Sequence, residues 1–407
     1  MTRRKMKVAG CASAMQNSGS RIAMGYKSKT KCIGILTSGG DCPGLNAAIR
    51  AVAKSAMHYG IRVLGIPDGF RGLVENRFHH LDDSDVSGIL NRGGTILGTS
   101  RDKPHKMPMG DKILDMTSVA VANAHAKQID CLVCLGGNGT QKNAQRIREA
   151  GLDVITLPKT IDNDVIGTDI SFGFDTAMNT AAEAIDRLHT TATSHHRVIV
   201  CEIMGHKAGW LALGAGIAGG ADVILIPEIP YDREVVAEHL MERRKHSKRF
   251  SIIAVAEGAR SIKEAREGKK AEPPELEKEK NGKDSVRKAD ALHDGPHLVQ
   301  ESLDSRIARQ LQQLTGLEAR TTSLGHVQRG GSPSSFDRHL CTLLGTRAGQ
   351  LLAEGHYNVM VALRGSETVP VPLEEVSGGY RTVPPNHPWI NAAELVETCM
   401  GNRIRRD

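Results

Sequence analysis

The sequence predicts an α/β protein built on mainly parallel sheets. Short apolar runs of strand length alternate with stretches of helical periodicity along most of the chain, which is the pattern of successive βαβ units. The 407 residues include 43 glycines, and only 3% are aromatic, as suits many tight strand-to-helix turns. A chain of this length exceeds one typical hydrophobic core, so we expect two domains or two tightly coupled lobes.

The predicted elements follow one another in a regular order. A first strand at 31–36 leads through a Gly-rich turn into a helical pattern at 47–59. Later strand-like runs lie at 61–66, 131–135, 153–157, 197–203, 222–226, 250–256 and 358–363. Pro158 ends the run at 153–157, because proline cannot continue the ladder of a central strand. An amphipathic stretch at 303–314 predicts a late helix.

The basic charge of the chain is concentrated at its N-terminus. The net charge is +7, but residues 1–31 hold eight basic residues and no acidic one, which leaves the remainder close to neutral. A nearly neutral body argues against nucleic-acid binding, which needs a basic face on the folded part. We expect residues 1–30 to be a disordered extension, or Met24 to be the true start. A transit peptide is the alternative.

Two further segments depart from the βαβ pattern. Residues 261–294 contain nine basic and nine acidic residues and almost nothing apolar, which predicts a solvated insertion. Beyond about Val369, proline and glycine become frequent and predict a looser tail that wraps the body. We therefore divide the chain into an extension at 1–30, a first lobe at 31–172, a second lobe at 173–368 with the insertion, and a tail at 369–407.

Cysteine usage and hydropathy indicate the cellular compartment. Four of the eight cysteines lie within apolar strand-like runs, where cysteine behaves as a small hydrophobic residue. No pairing pattern is evident, so we expect free thiols in a reducing compartment and place the protein in the cytoplasm. No apolar run approaches the roughly 18 residues that span a bilayer, so no membrane segment is expected.

The stretch PKTIDND at 158–164 is the centre of the functional prediction. It follows a buried strand, so it lies at the strand's carboxyl end, where open α/β sheets bind ligands. Lys159 can hold a phosphate, and Asp162 or Asp164 can accept a hydroxyl proton or carry a metal. Transfer of a phosphoryl group to an alcohol needs these groups together. The competing interpretation is a cluster of helix-capping residues.

Glycine-rich turns follow two other strands. The turns at 38–44 and 136–140 each precede a helix, where backbone N–H groups and the helix dipole favour an anion. A third turn at 93–101 ends in Arg101, which could stack on a base or pair with a phosphate. Taken singly, each turn is equally compatible with a tight strand-to-helix connection.

The second half of the chain adds a group of charged residues. Arg197 opens one strand, Glu257 closes another, and Arg320, His326 and Arg329 lie within ten residues of one another. Such a cationic segment suits a second anion, for example a sugar phosphate. The motifs near 39, 136, 159, 205 and 257 each follow a strand, so they share one edge of a sheet and could converge.

Taken together, these motifs resemble the phosphofructokinase family. The matching segments are SGGDCPGLN at 38–46, GGNGT at 136–140, PKTIDND at 158–164, MG at 204–205, EG at 257–258 and GHVQRGGSP at 325–333. Their order and spacing agree with the family over about 31–346. The resemblance implies two αβα lobes, the first for the phosphoryl donor and the second for the sugar phosphate. It also implies assembly as homodimers or homotetramers with shared active sites.

The resemblance assigns roles by position. Asp162 resembles the general base, supported by Lys159 and Asp164. The donor site corresponds to Gly39, Gly40, Arg101, Gly137, Asn138, Gly139 and Thr140. The fructose 6-phosphate site corresponds to Thr160, Asp162, Met204, Gly205, His206, Glu257, His326 and Arg329, with Arg197 and Arg320 reaching in from a neighbouring subunit. The implied cofactor is Mg²⁺, with Asn138 and Asp162 as candidate ligands.

Four positions bear on donor choice and activity. Gly139 favours ATP, because members of the family that use pyrophosphate usually carry Asp there, whereas Lys159 is typical of pyrophosphate enzymes. Asn138 stands where the family usually has Asp, and His206 stands where it usually has Arg. We expect an ATP-dependent 6-phosphofructokinase of glycolysis. The alternatives are a pyrophosphate-dependent enzyme and a catalytically weak sensor of nucleotide or sugar phosphate.

Overall fold

The computed structural model describes residues 28–271 and 301–402. Residues 1–27 of the expected extension, the larger part of the charged insertion and the last residues of the tail lie outside this description. Within the described residues, no helix is long and apolar enough to cross a bilayer.

The chain alternates strands and helices, as predicted. In the first half these are β1 (Cys32–Ser38), α1 (Leu45–His58), β2 (Arg62–Ile66), α2 (Phe70–Val74), β3 (His79–His80), β4 (Met107–Met109), β5 (Lys112–Leu114), α3 (Thr117–Ala126), β6 (Cys131–Gly136), α4 (Asn138–Glu149) and β7 (Asp153–Pro158). Each strand predicted in this half is confirmed to within two residues at either end. The predicted helix at 47–59 is confirmed as α1.

The second half continues the alternation. Its elements are α5 (Phe174–His195), β8 (Val198–Ile203), α6 (Trp210–Ala218), β9 (Val223–Leu225), α7 (Arg233–Lys245), β10 (Ser251–Ala256), α8 (Ile262–Ala271), α9 (Leu303–Thr315), β11 (Ala319–Ser323), a 3₁₀ helix (Gly325–Arg329), α10 (Ser335–Glu354), β12 (Val359–Arg364), β13 (Glu367–Pro372), α11 (Leu373–Val376) and α12 (Pro388–Leu395). The charged segment at 261–294 therefore begins with a helix, α8, within its first eleven residues.

Two mainly parallel sheets organise these elements. The larger has the order β13-β12-β7-β6-β1-β2-β3, and only its two edge strands, β13 and β3, run antiparallel to their neighbours. The smaller has the order β11-β8-β10-β9 and is parallel throughout. A separate hairpin joins β4 and β5. The predicted α/β class with two mainly parallel sheets is confirmed.

The sheets divide the chain differently from the expected lobe boundaries. Strands β12 and β13 pair with β7, so residues expected in the second lobe complete the first sheet. The boundary expected at 368/369 also falls within β13. The physical reason is α10, a 20-residue helix that packs along α1 and carries the chain back. The order of elements along the sequence does not indicate that the chain returns to the first sheet after α10.

A continuous apolar core joins the two sheets. Alternate residues of β1 and β8 contribute to it, as shown by Ile33 and Ile35 on one strand and Ile199 and Cys201 on the other. The opposite faces of the strands pack into two separate outer clusters, which include Leu36 in one and Val200 in the other. This period of two is what strands covered on both faces require.

The contact between α1 and α10 allows no side chain at Gly345. A Cβ added there would lie 2.5 Å from the Cβ of Ala51 and 2.9 Å from the backbone nitrogen of Val52. The two helices can therefore approach only because this residue is glycine.

Substitution of Gly345 by alanine is expected to destabilise the protein by about 1–3 kcal/mol, because the added methyl overpacks the helix contact. The usual gain of about 1 kcal/mol for replacing glycine inside a helix acts in the opposite direction. Chemical denaturation measures the difference. Gly378→Ala is the control, because a Cβ at that position has no neighbour within 4 Å. Equal stability of Gly345→Ala and wild type would contradict the proposed tight contact.

Candidate active site

Three neighbouring strands of the larger sheet end at the same level. The pairing register places Ser38 of β1 beside Gly136 of β6, and Gly136 beside Pro158 of β7. The loops that follow therefore start from one line across the sheet. They surround a cavity of about 310 Å³. Its lining residues are Ser38, Gly39, Gly40, Arg101, Lys103, Gly137, Asn138, Gly139, Thr140, Asn143, Lys159, Thr160, Asp162, Asp164, His206, Arg329 and Tyr380.

The loop after β1 is held by cations from two other segments. The Lys159 ammonium donates a hydrogen bond to the carbonyl oxygen of Gly40, and Nη1 of Arg329 donates to that of Asp41 at 3.1 Å. Gly39 has a φ of 89°, a left-handed value that glycine adopts at little cost. A Cβ on Gly40 would lie 2.7 Å from Nη1 of Arg329. The predicted turn is therefore tight because Gly39 adopts a left-handed conformation and the Arg329 guanidinium occupies the space beside Gly40.

The loop after β6 opens directly into α4. Gly137 precedes the first turn of α4, and Thr140 Oγ1 donates to the carbonyl oxygen of Ser38 at 3.3 Å. The first N–H groups of a helix have no partner within the helix, so they are available to an anion in the cavity. A Cβ on Gly139 would meet no atom within 4 Å. The cavity therefore has space at this position.

The loop after β7 is fixed by its own side chains. Thr160 Oγ1 accepts a hydrogen bond from the backbone nitrogen of Asp162 at 3.0 Å. Oδ1 of Asn163 accepts one from the backbone nitrogen of Ser171 at 3.0 Å, and Asn163 has a left-handed φ of 52°. A non-glycine residue in that region stores strain unless its surroundings hold it. The loop is accordingly a rigid support for the carboxylates on either side of Asn163.

Burial changes the acidity of three groups in the cavity. It raises the pKa of Asp162, although the positive charge of Arg329 opposes the shift. It raises the pKa of Asp164 to about 6, with the negative charge of Asp162 adding to the effect. It lowers the pKa of Lys159, because a buried ammonium loses hydration. Shifted groups sharing one cavity are typical of sites that transfer protons.

Two buried side-chain oxygens of residues that line the cavity lack protein partners, as does Nε of Arg329. Oδ1 of Asp162 and Oδ1 of Asn138 are buried and accept no hydrogen bond from the protein, whereas Nδ2 of Asn138 donates to the backbone oxygen of Asp164 at 3.1 Å. Unsatisfied buried oxygens are costly unless a ligand completes them. Mg²⁺ prefers oxygen ligands and often takes only one or two from protein. Asn138 and Asp162 therefore fit the expected cofactor.

The described residues do not provide a site in which protein alone encloses a metal. Within residues 28–271 and 301–402, no group of three or more His, Cys, Asp or Glu side chains is arranged to hold an ion.

The smaller sheet reaches the cavity at two places, the loop after β8 and the 3₁₀ helix after β11, which carries Arg329. His206 of the loop after β8 lines the cavity and has a left-handed φ of 53°. Its backbone nitrogen donates to Oε1 of Glu257 at 2.6 Å, and that of Gly205 donates to the same atom at 3.2 Å. Glu257 therefore acts on the loop backbone in this structure, and Met204 is half-buried against the central core. The motifs at 205 and 257 meet each other, but they follow strands of the smaller sheet. The expectation that all five motifs share one edge of a sheet is therefore wrong.

The cationic segment near residue 326 does not act as one group. Arg329 lines the cavity, but His326 is exposed and is not among the lining residues. Arg320 and Arg197 lie elsewhere and both pair with Glu318. The expectation of three cations around a single anion is not met within one chain, where only Arg329 of the three lines the cavity.

Three lining residues lie outside the motifs found in the sequence. Lys103 and Asn143 were hidden in a loop and a helix without a motif. Tyr380 comes from the tail, 47 residues after the last family motif ends at 333. Its ring nevertheless lies 6.5 Å from that of His206. The Gly378-Gly379 pair before it signals a turn, but no sequence rule indicates which surface the turn meets.

Comparison with known proteins identifies the family. A family model described as "Phosphofructokinase" matches residues 32–352. The chain belongs to the phosphofructokinase family. The family resemblance that the motifs predict is therefore confirmed.

Several relatives match nearly the whole chain. An "ATP-dependent 6-phosphofructokinase" of Propionibacterium freudenreichii is 54% identical over 372 residues, which are 91% of this chain and 99% of the relative. One of Spirochaeta thermophila is 51% identical over 380 residues, 92% of this chain and 99% of the relative. "ATP-dependent 6-phosphofructokinase 3" of Bacteroides thetaiotaomicron is 45% identical over 370 residues, with shares of 91% and 99%.

Solved structures share the fold. Phosphofructokinase of Pichia pastoris in the T-state has a TM-score of 0.71 and 30% identity, and the match covers 91% of this chain but 37% of that longer chain. A pyrophosphate-dependent phosphofructokinase of Marinobacter aquaeolei has a TM-score of 0.70 and 20% identity, with 87% and 86% covered. At that identity the second likeness concerns the fold alone.

Asp164→Asn is expected to stabilise the ligand-free phosphofructokinase at neutral pH by on the order of 2 kcal/mol, because the ionised carboxylate is unfavourable when buried. The folded-state pKa is raised from 3.8 to about 6. Wild type therefore carries the full penalty above the folded-state pKa and loses it as the pH falls toward 3.8. The advantage of the variant should grow as the pH rises through this window and then level off.

Chemical denaturation across that pH range measures the difference in the free energy of unfolding. Asp169→Asn is the control, because Asp169 lies five residues away on the same segment and is exposed. A variant that is less stable than wild type at neutral pH would show that Asp164 contributes favourably in its ionised form.

Proposed function

We infer that the protein is an ATP-dependent 6-phosphofructokinase. It transfers the γ-phosphoryl group of ATP to the C1 hydroxyl of fructose 6-phosphate, giving fructose 1,6-bisphosphate. The relatives at 45–54% identity over most of the chain carry this name. The structural observation behind the mechanism is the buried, unpartnered carboxylate oxygen of Asp162 in a cavity bordered by two glycine loops.

We propose Asp162 as the general base. Its carboxylate accepts the proton of the sugar C1 hydroxyl as that oxygen attacks the γ-phosphorus in line, and no covalent intermediate forms on the protein. The raised pKa supports this role, because a more basic carboxylate takes a hydroxyl proton more readily. Asp164 shares the loop, and its charge contributes to the electrostatic field around the base.

The donor is proposed to bind across the glycine loops. The phosphates contact the backbone N–H groups of Gly40 and of residues 137–139. Gly39 and Thr140 line the same site, but their N–H groups donate to the carbonyl oxygens of Ser100 and Gly137. Arg101 lies at the edge of the cavity. Lys103 and Asn143 extend this side and add one cation and one amide. Lys159 lies between the loops, where its ammonium offsets negative charge on the transferred group. Mg²⁺, held by Asn138 and Asp162, would supply further positive charge to the phosphate oxygens.

The sugar phosphate is proposed to bind on the opposite side of Asp162. Thr160 and His206 line the cavity, and Arg329 reaches it from beside the Gly40–Asp41 backbone. Gly205 and Glu257 form the adjoining loop contact, next to Met204. His326 lies beyond the cavity rim. Loss of the usual arginine at position 206 removes a fixed guanidinium, and Lys207 is the neighbouring cation.

Assembly is part of the proposal for Arg197 and Arg320. Both lie at the start of strands in the smaller sheet and away from the cavity of their own chain. We propose a homodimer or homotetramer in which they serve a neighbouring subunit's sugar-phosphate site. A cytoplasmic location is also proposed, because the seven cysteines of the described residues are all free and six are buried.

A coupled assay for fructose 1,6-bisphosphate tests the function and the base together. Wild type is expected to turn over with ATP and Mg²⁺, and pyrophosphate should not replace ATP. Asp162→Asn is expected to lower kcat by roughly 10²- to 10⁴-fold, because an amide cannot accept the proton. The KM for fructose 6-phosphate should change little, since the side chain keeps its size.

Asp169→Asn is the matched control and should retain wild-type kcat. Turnover with pyrophosphate alone would favour the pyrophosphate-dependent alternative. Binding of ATP or fructose 6-phosphate without turnover by wild type would favour a sensor. Normal kcat in Asp162→Asn would remove the base assignment while leaving the reaction in place.

Gly139→Asp is expected to lower kcat/KM for ATP by about tenfold or more, because the new carboxylate repels the nucleotide phosphates. Gly139→Ala separates size from charge, since a Cβ there meets no atom within 4 Å. The alanine variant should stay within about threefold of wild type. Steady-state kinetics with varied ATP measures both. Equal loss in the two variants would mean that space, and not charge, governs the position.

A further inference from the structure

The tail segment 377–387 crosses from the first lobe to the second beside the active site. Its residue Arg381 contacts the loop that carries the proposed base. The backbone nitrogen of Arg381 donates to the carbonyl oxygen of Asp164 at 2.7 Å, and Nη1 donates to that of Asn163 at 3.2 Å. These two bonds fix consecutive peptide groups directly after Asp162.

The other side of Arg381 rests on the second lobe. Its guanidinium carbon lies 4.3 Å from the ring centre of Trp210, within cation–π range. Nε1 of Trp210 donates in turn to the carbonyl oxygen of Arg381 at 3.1 Å. Trp210 opens α6 directly after the loop that carries His206. Arg381 thus connects the base loop of one lobe to the sugar-phosphate loop of the other.

A neighbouring contact fixes the tail in this position. The backbone nitrogen of Val383 donates to Oε1 of Glu228 at 2.9 Å. The same carboxylate accepts from the backbone nitrogen of Gly209, the residue before Trp210, at 2.9 Å and 3.1 Å. The tail, the loop end at Gly209 and the start of α6 are therefore held as one unit.

Arginine suits this position for a geometric reason. Its planar guanidinium can stack on an indole face while its N–H groups donate in the same plane, and a lysine ammonium cannot do both. Arg381 does not line the cavity, so it acts through the loop and not on the substrates. A displacement of about 1 Å in a reacting group can lower a rate by about 10²-fold.

We propose that Arg381 is a positioning residue for phosphoryl transfer, which holds the Asn163–Asp164 backbone against Trp210 and so aims the Asp162 carboxylate at the sugar hydroxyl. The inference rests on the proposed function. It assigns to the tail a part in the chemistry that none of the family motifs in this sequence contains.

Arg381→Met is expected to lower kcat by about 10- to 100-fold. The KM values for ATP and fructose 6-phosphate should stay within about threefold of wild type, because the residues that contact them remain. Arg381→Lys should fall between the two, since it keeps the charge but loses the planar guanidinium that stacks on Trp210 while donating to Asn163. Steady-state kinetics with each substrate varied gives the separation of kcat from KM.

Chemical rescue distinguishes positioning from general stability. Adding guanidinium at millimolar concentration, far below denaturing levels, to Arg381→Ala should restore part of kcat. The same addition should not accelerate wild type or the control variant Arg364→Met. Arg364 is an exposed arginine that donates to Gly167 at 3.4 Å, and its replacement should leave kcat unchanged.

A second variant keeps the test decisive if Arg381→Met folds poorly. Trp210→Phe retains an aromatic face but removes the bond to the Arg381 carbonyl and part of a buried ring, so a smaller fall in kcat is expected. In Arg381→Lys/Trp210→Phe the losses should be less than additive, because both act on one contact.

The outcomes test the proposed reaction and the role of Arg381 separately. A wild type without ATP-dependent turnover would overturn the proposed function and this inference with it. An active wild type with unchanged kcat in Arg381→Met and Trp210→Phe would overturn the inference alone. A rise in KM without a fall in kcat, or an absence of guanidinium rescue in folded Arg381→Ala, would also overturn it.

Discussion

The active site depends on the register that makes β1, β6 and β7 end side by side at one edge of the sheet. Parallel pairing places Ser38, Gly136 and Pro158 in one row, so the loops that follow must share one edge. The first two loops contribute backbone amides, and the third contributes charged side chains. A shift of register by one residue in a strand would turn its inner side chains to the other face and move its loop away.

The cavity concentrates charges that folding alone would not favour. Lys159, Asp162 and Asp164 are all buried enough for their pKa values to shift, and each shift marks a cost to the ligand-free protein. Arg329 opposes the shift of Asp162 and also holds the first glycine loop through Asp41. The pKa of each group thus depends on the charges of the others. Anionic substrates and a cation would provide partners for the polar groups that the protein itself leaves without them.

The two lobes act as one body because the chain crosses between them more than once. The apolar core is continuous between the sheets, and α10 returns the chain to the first sheet. Asp337 at the start of α10 is fully buried and accepts hydrogen bonds from the backbone nitrogens of Gly173 and Thr176, both at 2.9 Å. This carboxylate satisfies the start of α5 and ties it to α10. The tail crosses again and places Tyr380 and Arg381 beside the catalytic loop.

The sequence by itself determined the α/β class, the order of its strands and the motifs that follow them, because these depend on local patterns of period two and 3.6 and on glycine and proline. It also identified the loops that form the cavity, since parallel strands bring their carboxyl ends together. Only the tertiary structure decided that β12 and β13 complete the first sheet, that His326 faces away from the cavity, and that Arg381 reaches the base loop. Those features depend on which distant surfaces touch, and local pattern carries no information about such contacts.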